Sequence, residues 1–272
     1  MWTVVHGVTA VFDGLIGLFD RWHPMVGLLV ISIITGAIML IIFRYTSNQA
    51  AIADTKNKIK AYILEVRLFK DDLPAQMAAQ RRILWTNFKY IRYATAPMLV
   101  MLIPVLVILI QLDVRYARRP LLPGEDTILK VEMEKGTDIS SLRFEPPAGI
   151  VSDMEPVRIP ERNQVTWRLE AEASGAHDLI FTSGGEAVTK RLEVGDYLTK
   201  LADERKHSNA FGVWENPAEP PLPKGSAFRS IVIEYPDRDL RIWGFGMHWL
   251  LVFFASSVIF GFAIKGFVGV EV

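Results

Sequence analysis

Residues 96–112 read Ala-Pro-Met-Leu-Val-Met-Leu-Ile-Pro-Val-Leu-Val-Ile-Leu-Ile-Gln-Leu, and this apolar run decides the fold class of the chain. Its one strongly polar side chain is Gln111, near the end of the run. At about 1.5 Å of helix rise per residue, the run covers most of the roughly 30 Å hydrocarbon layer of a bilayer. Pro104, in the middle of the run, is tolerated better in a membrane helix than in a soluble one. The run therefore predicts a transmembrane helix over residues 95–112.

Two other apolar segments predict further transmembrane helices, so the expected fold class is an α-helical membrane protein with three spans. Residues 25–43 contain Ser32 and Thr35 as their only polar side chains, and we expect a helix over 24–44. A third segment, from about Trp243 to Ile264, predicts a helix over 243–266 and a short tail over 267–272. A hydrophobic content of 50% and a positive mean hydropathy agree with a partly membrane-embedded chain.

Residues 45–94, between the first two spans, have a helical pattern that is broken once, at 70–74. Asp71 or Asp72 can cap a new helix there, with Pro74 in its first turn. We therefore expect an antiparallel helical hairpin in which each arm has an apolar stripe, with Ile52, Ile59, Ile63, Val66 and Phe69 on the first arm and Met77, Leu84, Phe88 and Ile91 on the second.

The hairpin is strongly basic, with ten Lys or Arg residues against four Asp or Glu residues from Arg44 to Arg92. Such a charge suits anionic headgroups, a nascent chain or ribosomal RNA, and the charge alone does not choose among them. A solvated coiled coil that only connects two spans is the alternative. The candidate contact residues are Lys56, Lys58, Lys60, Arg67, Arg81 and Arg82.

The positive-inside rule makes this hairpin cytoplasmic, because it is the most basic short loop next to a span. The N-terminus is then outside, the region from Asp113 to about Arg241 is extracytoplasmic, and the C-terminus is cytoplasmic. We expect the inner (plasma) membrane. Residues 1–23 are predicted to form an amphipathic helix in the outer interface, because apolar residues recur there at helical spacing: Val4, Val8, Val11, Phe12, Leu15 and Phe19.

The extracytoplasmic region is rich in alternating patterns that are typical of β-strands. After a stiff linker over 113–123, residues 124–195 contain about six short strands; in one of them Val165, Trp167 and Leu169 alternate with polar residues. We expect an all-β, immunoglobulin-like sandwich with Trp167 in its core. Residues 196–242 are predicted to form a short helix and a proline-rich return strap, with a further strand at 231–233.

Small and polar side chains mark one face of the first span and one face of the third. Ser32, Thr35 and Gly36 share a face of the first, and Ser257 and Gly261, with Ser256 beside them, mark the third. Either these faces pack against each other as a seam, or they form the polar wall of a partly hydrated groove. Arg44 closes the first span. The candidate groove residues are Ser32, Thr35, Arg44, Ser256 and Ser257.

Common catalytic and metal-binding patterns are missing from the sequence. Cysteine is absent, and the five histidines are scattered without metal-ligand spacing on one helix face. No phosphate-binding glycine loop, no nucleophile elbow and no charged residue in the middle of a span is found. We therefore expect that the chain is not an enzyme, that it holds no cofactor or metal, and that it does not bind DNA.

The arrangement resembles the YidC/Oxa insertase superfamily, and within it the minimal three-span branch of archaeal YidC-like proteins and relatives in endoplasmic-reticulum insertase complexes. The run Pro97-Met98-Leu99-Val100-Met101-Leu102-Ile103-Pro104-Val105-Leu106 matches the second span of that branch, and Arg44 and Asn48-Gln49 also match. The resemblance covers residues 1–112 and 243–272; the large outer domain is an addition.

The resemblance implies a membrane protein insertase or membrane chaperone. In such a protein, a three-helix core opens a polar groove towards cytoplasm and lipid, so that a short polar tail can cross the bilayer. The implied partners are membrane lipids, nascent membrane proteins or other membrane subunits, and the ribosome. The alternative is a non-catalytic anchoring or scaffold subunit of a larger envelope complex, with the β-sandwich as its docking module. A lone receptor-like ligand-binding protein is a third reading.

Overall fold

The computed structural model describes residues 2–19, 22–208, 212–242 and 245–269. The chain divides into two compact units. One comprises Met1–Gly27 and Val107–Trp249, and the other comprises Leu28–Leu106 and Leu250–Val272. The first unit contains the β-strands, and the second is helical.

The helices in the described residues are α1 (Trp2–Gly17), α2 (Pro24–Thr46), α3 (Gln49–Leu68), α4 (Leu73–Tyr116), α5 (Gly212–Glu215) and α6 (Trp249–Val268). Three of them, α2, α4 and α6, are long and apolar enough to cross a membrane, which confirms that part of the predicted fold class. The predicted helical hairpin is present as α3 and the first part of α4. Its helices begin with caps: the backbone N of Ala51 donates to Asn48 Oδ1 (3.0 Å), and that of Ala75 donates to Asp72 Oδ1 (3.1 Å).

Helix α4 joins the second arm of the hairpin and the second span in one continuous element. It runs over 44 residues, or about 66 Å, and contains both Pro97 and Pro104. The sequence predicts a boundary at 94/95 and an end at 112, and the structure has neither. The residues between arm and span include no glycine, and Pro97 removes a single backbone donor, so nothing there stops the helix.

The first unit contains antiparallel β-sheets. Its strands are β1 (Asp126–Met133), β2 (Arg143–Phe144), β3 (Ile150–Val151), β4 (Val157–Ile159), β5 (Gln164–Ala171), β6 (Gly175–Ser183), β7 (Glu186–Val194), β8 (Glu204–Lys206), β9 (Phe228–Ile233), β10 (Leu240–Ile242) and β11 (Phe245–Met247). One sheet has the order β3-β5-β1-β9-β8, with β4 also paired to β5; the others are β2-β6-β7 and β10-β11.

The two larger sheets share one hydrophobic core. Leu129 and Ile231 of the first sheet belong to the same buried cluster as Phe181 of the second. Trp167, predicted in the core, is there: 6% of its surface is exposed, and its ring centre lies 5.5 Å from that of Phe144. The predicted antiparallel β region is therefore confirmed.

The β core extends beyond residue 195, where the sequence predicts its end. Strand β9 pairs with β1, with Leu129 opposite Ile233, and so lies inside the larger sheet. On the other side, the predicted linker 113–123 belongs partly to α4. Leu121 is buried, and its backbone O accepts a hydrogen bond from Gly195 N (2.7 Å).

Two predicted helical segments differ from the structure. Residues 196–203 do not form the expected short helix, because Leu201 is buried in the β core and its backbone N donates to Val114 O (2.7 Å). The third apolar helix begins at Trp249 rather than at 243, because β10 and β11 pair as extended strands before it. Trp243 lies outside the described residues, as do residues 270–272 of the predicted tail and residues 1, 20 and 21 of the predicted interfacial segment.

Neighbouring side chains and loops occupy the outer edge of β7. The backbone N of Arg191 donates to Glu219 Oε1 (2.9 Å), and that of Glu193 donates to the Tyr235 hydroxyl (3.1 Å). The carbonyl oxygen of Glu193 accepts a hydrogen bond from Leu121 N (3.2 Å). The N–H groups of Arg191 and Glu193 and the carbonyl of Glu193 pair with no other strand, but each of them is hydrogen-bonded.

Candidate functional site

A cavity of about 500 Å³ lies within the helical unit, between α2, α3, α4 and α6. Each long helix contributes residues at intervals of three or four, which is how one helix face lines a wall. The wall is mainly apolar, and three methionines belong to it. Among its residues are Met39, Leu40, Phe43, Ile52, Ala94, Met98, Met101, Val105, Phe253, Phe254 and Val258.

Two of the five predicted groove residues, Thr35 and Ser257, line this cavity. Ser32 is buried but does not line it, and its hydroxyl donates to Leu28 O (2.7 Å). Arg44 is exposed in the last turn of α2, and Ser256 is half-buried on α6. The structure does not bring the predicted set together, and the walls are less polar than the sequence predicts.

Sequence reasoning missed two polar residues of the wall, Tyr90 and Lys265. Lys265 lies in the last turn of α6, with its Nζ 5.0 Å from the ring centre of Phe262. Lys265 follows Phe262 by three residues and Gly261 by four, so this spacing in the sequence could have predicted that it shares their helix face. The Ser257 hydroxyl is buried and has no hydrogen-bond partner among the residues that the structure describes.

A close helix contact lies beside the cavity. A Cβ atom built on Gly36 would be 2.7 Å from the backbone O of Ser257, closer than the Cβ atoms of real proteins come to such an atom. Helices α2 and α6 can approach this closely because residue 36 has no side chain. Gly261, which also lines the cavity, has nothing within 4 Å of the corresponding position. The two faces therefore meet in a close contact at Gly36, as the seam alternative predicts, and the space beside it is mainly apolar.

The candidate contact residues of the hairpin do not converge on one site. Lys58 pairs with Asp54 (2.6 Å) one turn away, and Arg82 pairs with Glu65 of α3 (3.1 Å). Lys60, Arg67 and Arg81 are exposed and have no ion pair among the described residues, and Lys56 is half-buried.

A buried polar network in the first unit was not predicted. The Arg115 guanidinium, 2% exposed, donates to Gln111 Oε1 (3.0 Å) and to the Asp13 carboxylate. Gln111 Nε2 donates to the Thr9 hydroxyl (3.1 Å), and Lys200 Nζ donates to Asp13 (2.8 Å). Two pairs at i, i+4, one on α1 and one on α4, were the available signal.

Asp13 is the acidic member of this network. Burial raises the pKa of its carboxyl, but the hydrogen bonds and charges of Lys200 and Arg115 outweigh burial, so the pKa lies below its ordinary value of 3.8. The carboxylate is therefore ionised at neutral pH and holds α1 to α4 and to residue 200. The buried face of α1 contains Val5, Thr9 and Ile16, while Val4 and Val11 of the predicted apolar stripe are exposed.

No group of three or more histidine, aspartate or glutamate side chains in residues 2–19, 22–208, 212–242 and 245–269 could hold a metal ion. In comparisons with known proteins, no protein-family model matches the chain, and no curated protein sequence matches it either. Function is therefore inferred from the residues and their geometry.

Proposed function

We propose that the chain is a membrane protein insertase or membrane chaperone, similar to YidC/Oxa proteins, and that the cavity of its helical unit receives an apolar segment of a client. The observation that carries this function is the cavity itself. The space is an open cleft rather than an enclosed void, because Met98 and Val258 in its wall are 60% and 51% exposed. Helices that pack closely along their whole length leave no such cleft, and its open side gives a client segment access to the apolar wall.

The wall chemistry suits clients of varied sequence. Met39, Met98 and Met101 are flexible and polarizable, so they adapt to side chains of different shape. Each Å² of apolar client surface that leaves water contributes about 25 cal/mol. Thr35, 4% exposed, and the Ser257 hydroxyl are buried in the wall, so the surface that a client would meet is mainly apolar. The proposed clients are nascent membrane proteins, delivered by the ribosome and surrounded by membrane lipids.

We assign the chain to the inner (plasma) membrane with its N-terminus outside, its hairpin and C-terminus in the cytoplasm, and its β region outside as an immunoglobulin-like domain. The excess of basic residues between Arg44 and Arg92 supports this orientation. Three apolar helices fit it, because an odd number of spans puts the two termini on opposite sides.

The test fills the cavity. Ala94 lines it and Ala96, two residues further along α4, is exposed and does not, so Ala94→Trp and Ala96→Trp are a matched pair. The purified chain is reconstituted in vesicles, and insertion of a radiolabelled client with a short polar tail is followed by protease protection. We expect Ala94→Trp to reduce insertion at least fivefold and Ala96→Trp to leave it near wild type.

Equal insertion by both variants and by empty vesicles would contradict the insertase. Stoichiometric copurification of the same partner subunits with wild type and Ala94→Trp would then favour the anchoring or scaffold subunit.

A further inference from the structure

The cytoplasm-proximal part of α4 has a row of exposed apolar side chains. Leu73, Met77, Leu84, Phe88 and Ile91 are each between 58% and 71% exposed. At 100° per residue, these five lie within about 60° of one another around the helix, and so form one stripe about 27 Å long. This set is called the α4 stripe below. If the hairpin were only a coiled coil of α3 and α4, helix α3 would cover these side chains.

The stripe faces away from α3. The buried residues of this part of α4 are Ala79 and Thr86, which lie roughly 160° around the helix from the stripe. On the side of α4 towards α3, Arg82 reaches Glu65 (3.1 Å) and lies over the Tyr62 ring (6.0 Å). Helix α4 therefore contacts α3 on the opposite side, and the stripe is a second face without a partner in the described chain.

Lipid does not reach most of this stripe. No charged residue lies between Arg92 and Asp113, and these twenty residues span about 30 Å, the thickness of the hydrocarbon layer. Because α4 is continuous, Leu84 and Met77 lie about 14 and 24 Å along the helix before that layer. The headgroup region on each side is only about 5–8 Å thick, and an average tilt of about 20° shortens these heights by less than a tenth.

The charges around the stripe select the occupant. Helix α4 has no Asp or Glu from Leu73 to Leu112, and Arg81 and Arg92 flank the stripe on one side, with Lys89 further round. Within the described residues, none of these three basic side chains has an ion pair. A second copy of the chain would bring the same positive charges to the interface. Nucleic acid would neutralise the charges but leave the leucine, methionine and phenylalanine side chains in water.

We propose that the α4 stripe docks an acidic amphipathic helix of a partner protein, which packs on the hairpin as an additional coiled-coil strand. Apolar residues of the partner at heptad spacing cover the stripe, and flanking Glu or Asp residues pair with Arg81 and Arg92. Trp85 and Phe88, whose rings stack with centres 6.0 Å apart, offer a flat aromatic platform at one end. The docking is independent of the cavity, so a failure here leaves the insertase proposal untouched.

The test uses the full chain in nanodiscs and two designed 21-residue peptides. Both have Leu at the a and d positions; one has Glu at e and g, and the other has Lys. We expect the Glu peptide to bind and the Lys peptide to bind at least tenfold more weakly, as measured by fluorescence anisotropy.

Variants of the stripe test which residues bind the peptide. Leu84→Glu and Met77→Glu should each weaken binding of the Glu peptide tenfold or more. Asn57→Glu adds the same charge at an exposed position of α3 and should change this binding less than threefold. The double variant Arg81→Glu, Arg92→Glu should reverse the preference between the peptides.

Several results would overturn the docking proposal. These are equal binding of the two peptides, no binding of the Glu peptide, or an unchanged dissociation constant in the stripe variants. Protection of single cysteines at 77 and 84 in peptide-free anionic nanodiscs, but not in neutral ones, would show that lipid covers the stripe. Crosslinking of Leu84→Cys between two copies would show that a second chain does.

Discussion

Substitution of Gly36 by alanine should separate the seam from the cavity. The new Cβ would meet the backbone O of Ser257 at 2.7 Å, and a backbone atom cannot rotate away as the end of a side chain can. Helix α2 or α6 must therefore shift. Gly261→Ala is the matched control, because it adds the same methyl group to a helix of the same unit with nothing within 4 Å.

The magnitude follows from two opposing effects. Alanine is favoured over glycine inside a helix by about 1 kcal/mol, and this gain applies to both variants. Overpacking typically costs about 1–3 kcal/mol and applies only at Gly36. The free energies of unfolding of the two variants should therefore differ by about 1–3 kcal/mol, with Gly36→Ala the less stable. At roughly 2–4 °C per kcal/mol, the midpoints should lie about 2–12 °C apart.

The measurement is thermal unfolding of the two purified full-length variants in the same detergent at the same scan rate, followed by circular dichroism of the helices. Coincident midpoints, or a higher midpoint for Gly36→Ala, would refute the close contact between α2 and α6. Insertion by the same proteins tells whether the seam also matters for function: a loss by Gly36→Ala alone would link helix spacing to the cavity.

Three further outcomes are expected. Trp167→Ala should cost about 3–5 kcal/mol as a core cavity in urea unfolding of the full chain, whereas Ile180→Ala, at a side chain 53% exposed, should cost less than about 1 kcal/mol; similar costs would contradict the shared core. The pKa of Asp13 is lower in the folded protein than its ordinary value of 3.8. The ionised carboxylate therefore stabilises the attachment of α1 at every pH above 3.8, and this stabilisation is lost as the pH falls through the pKa of the folded state. A dye on Ala10→Cys should then become more mobile only below pH 3.8, and Asp13→Asn should show no such transition. Single cysteines at Asn57 and Thr182 should be labelled from opposite sides of intact cells by an impermeant reagent, and labelling from one side would contradict the proposed orientation.

Local patterns predicted the elements whose neighbours lie close in sequence. The alternation around Trp167 specifies a strand with one buried face, and the apolar runs specify helices by length and composition. The turn at Asp72 follows from its cap. In each case, a few adjacent residues contain the whole signal.

The remaining features depend on partners that are far apart in the chain. Thr9 and Asp13 look like the solvated side of an amphipathic helix until Gln111 and Arg115, about a hundred residues later, lie against them. Strand β9 looks peripheral, yet it pairs with β1. The exposure of the α4 stripe could not be predicted, because Met77 and Leu84 have the same spacing whether they face α3 or another protein.

The occupied outer edge of β7 limits how the β region can associate. An exposed strand edge is a template on which another chain can add a strand, and it is a common route to aggregation. Here the backbone groups of Arg191 and Glu193 are already bonded to Glu219, Tyr235 and Leu121. The opposite edge, β2, is only two residues long. On the β7 side, a protein that binds this sheet must therefore recognise its loops or its outer face, and high local concentrations in a membrane should not drive edge-to-edge polymerisation through Arg191 and Glu193.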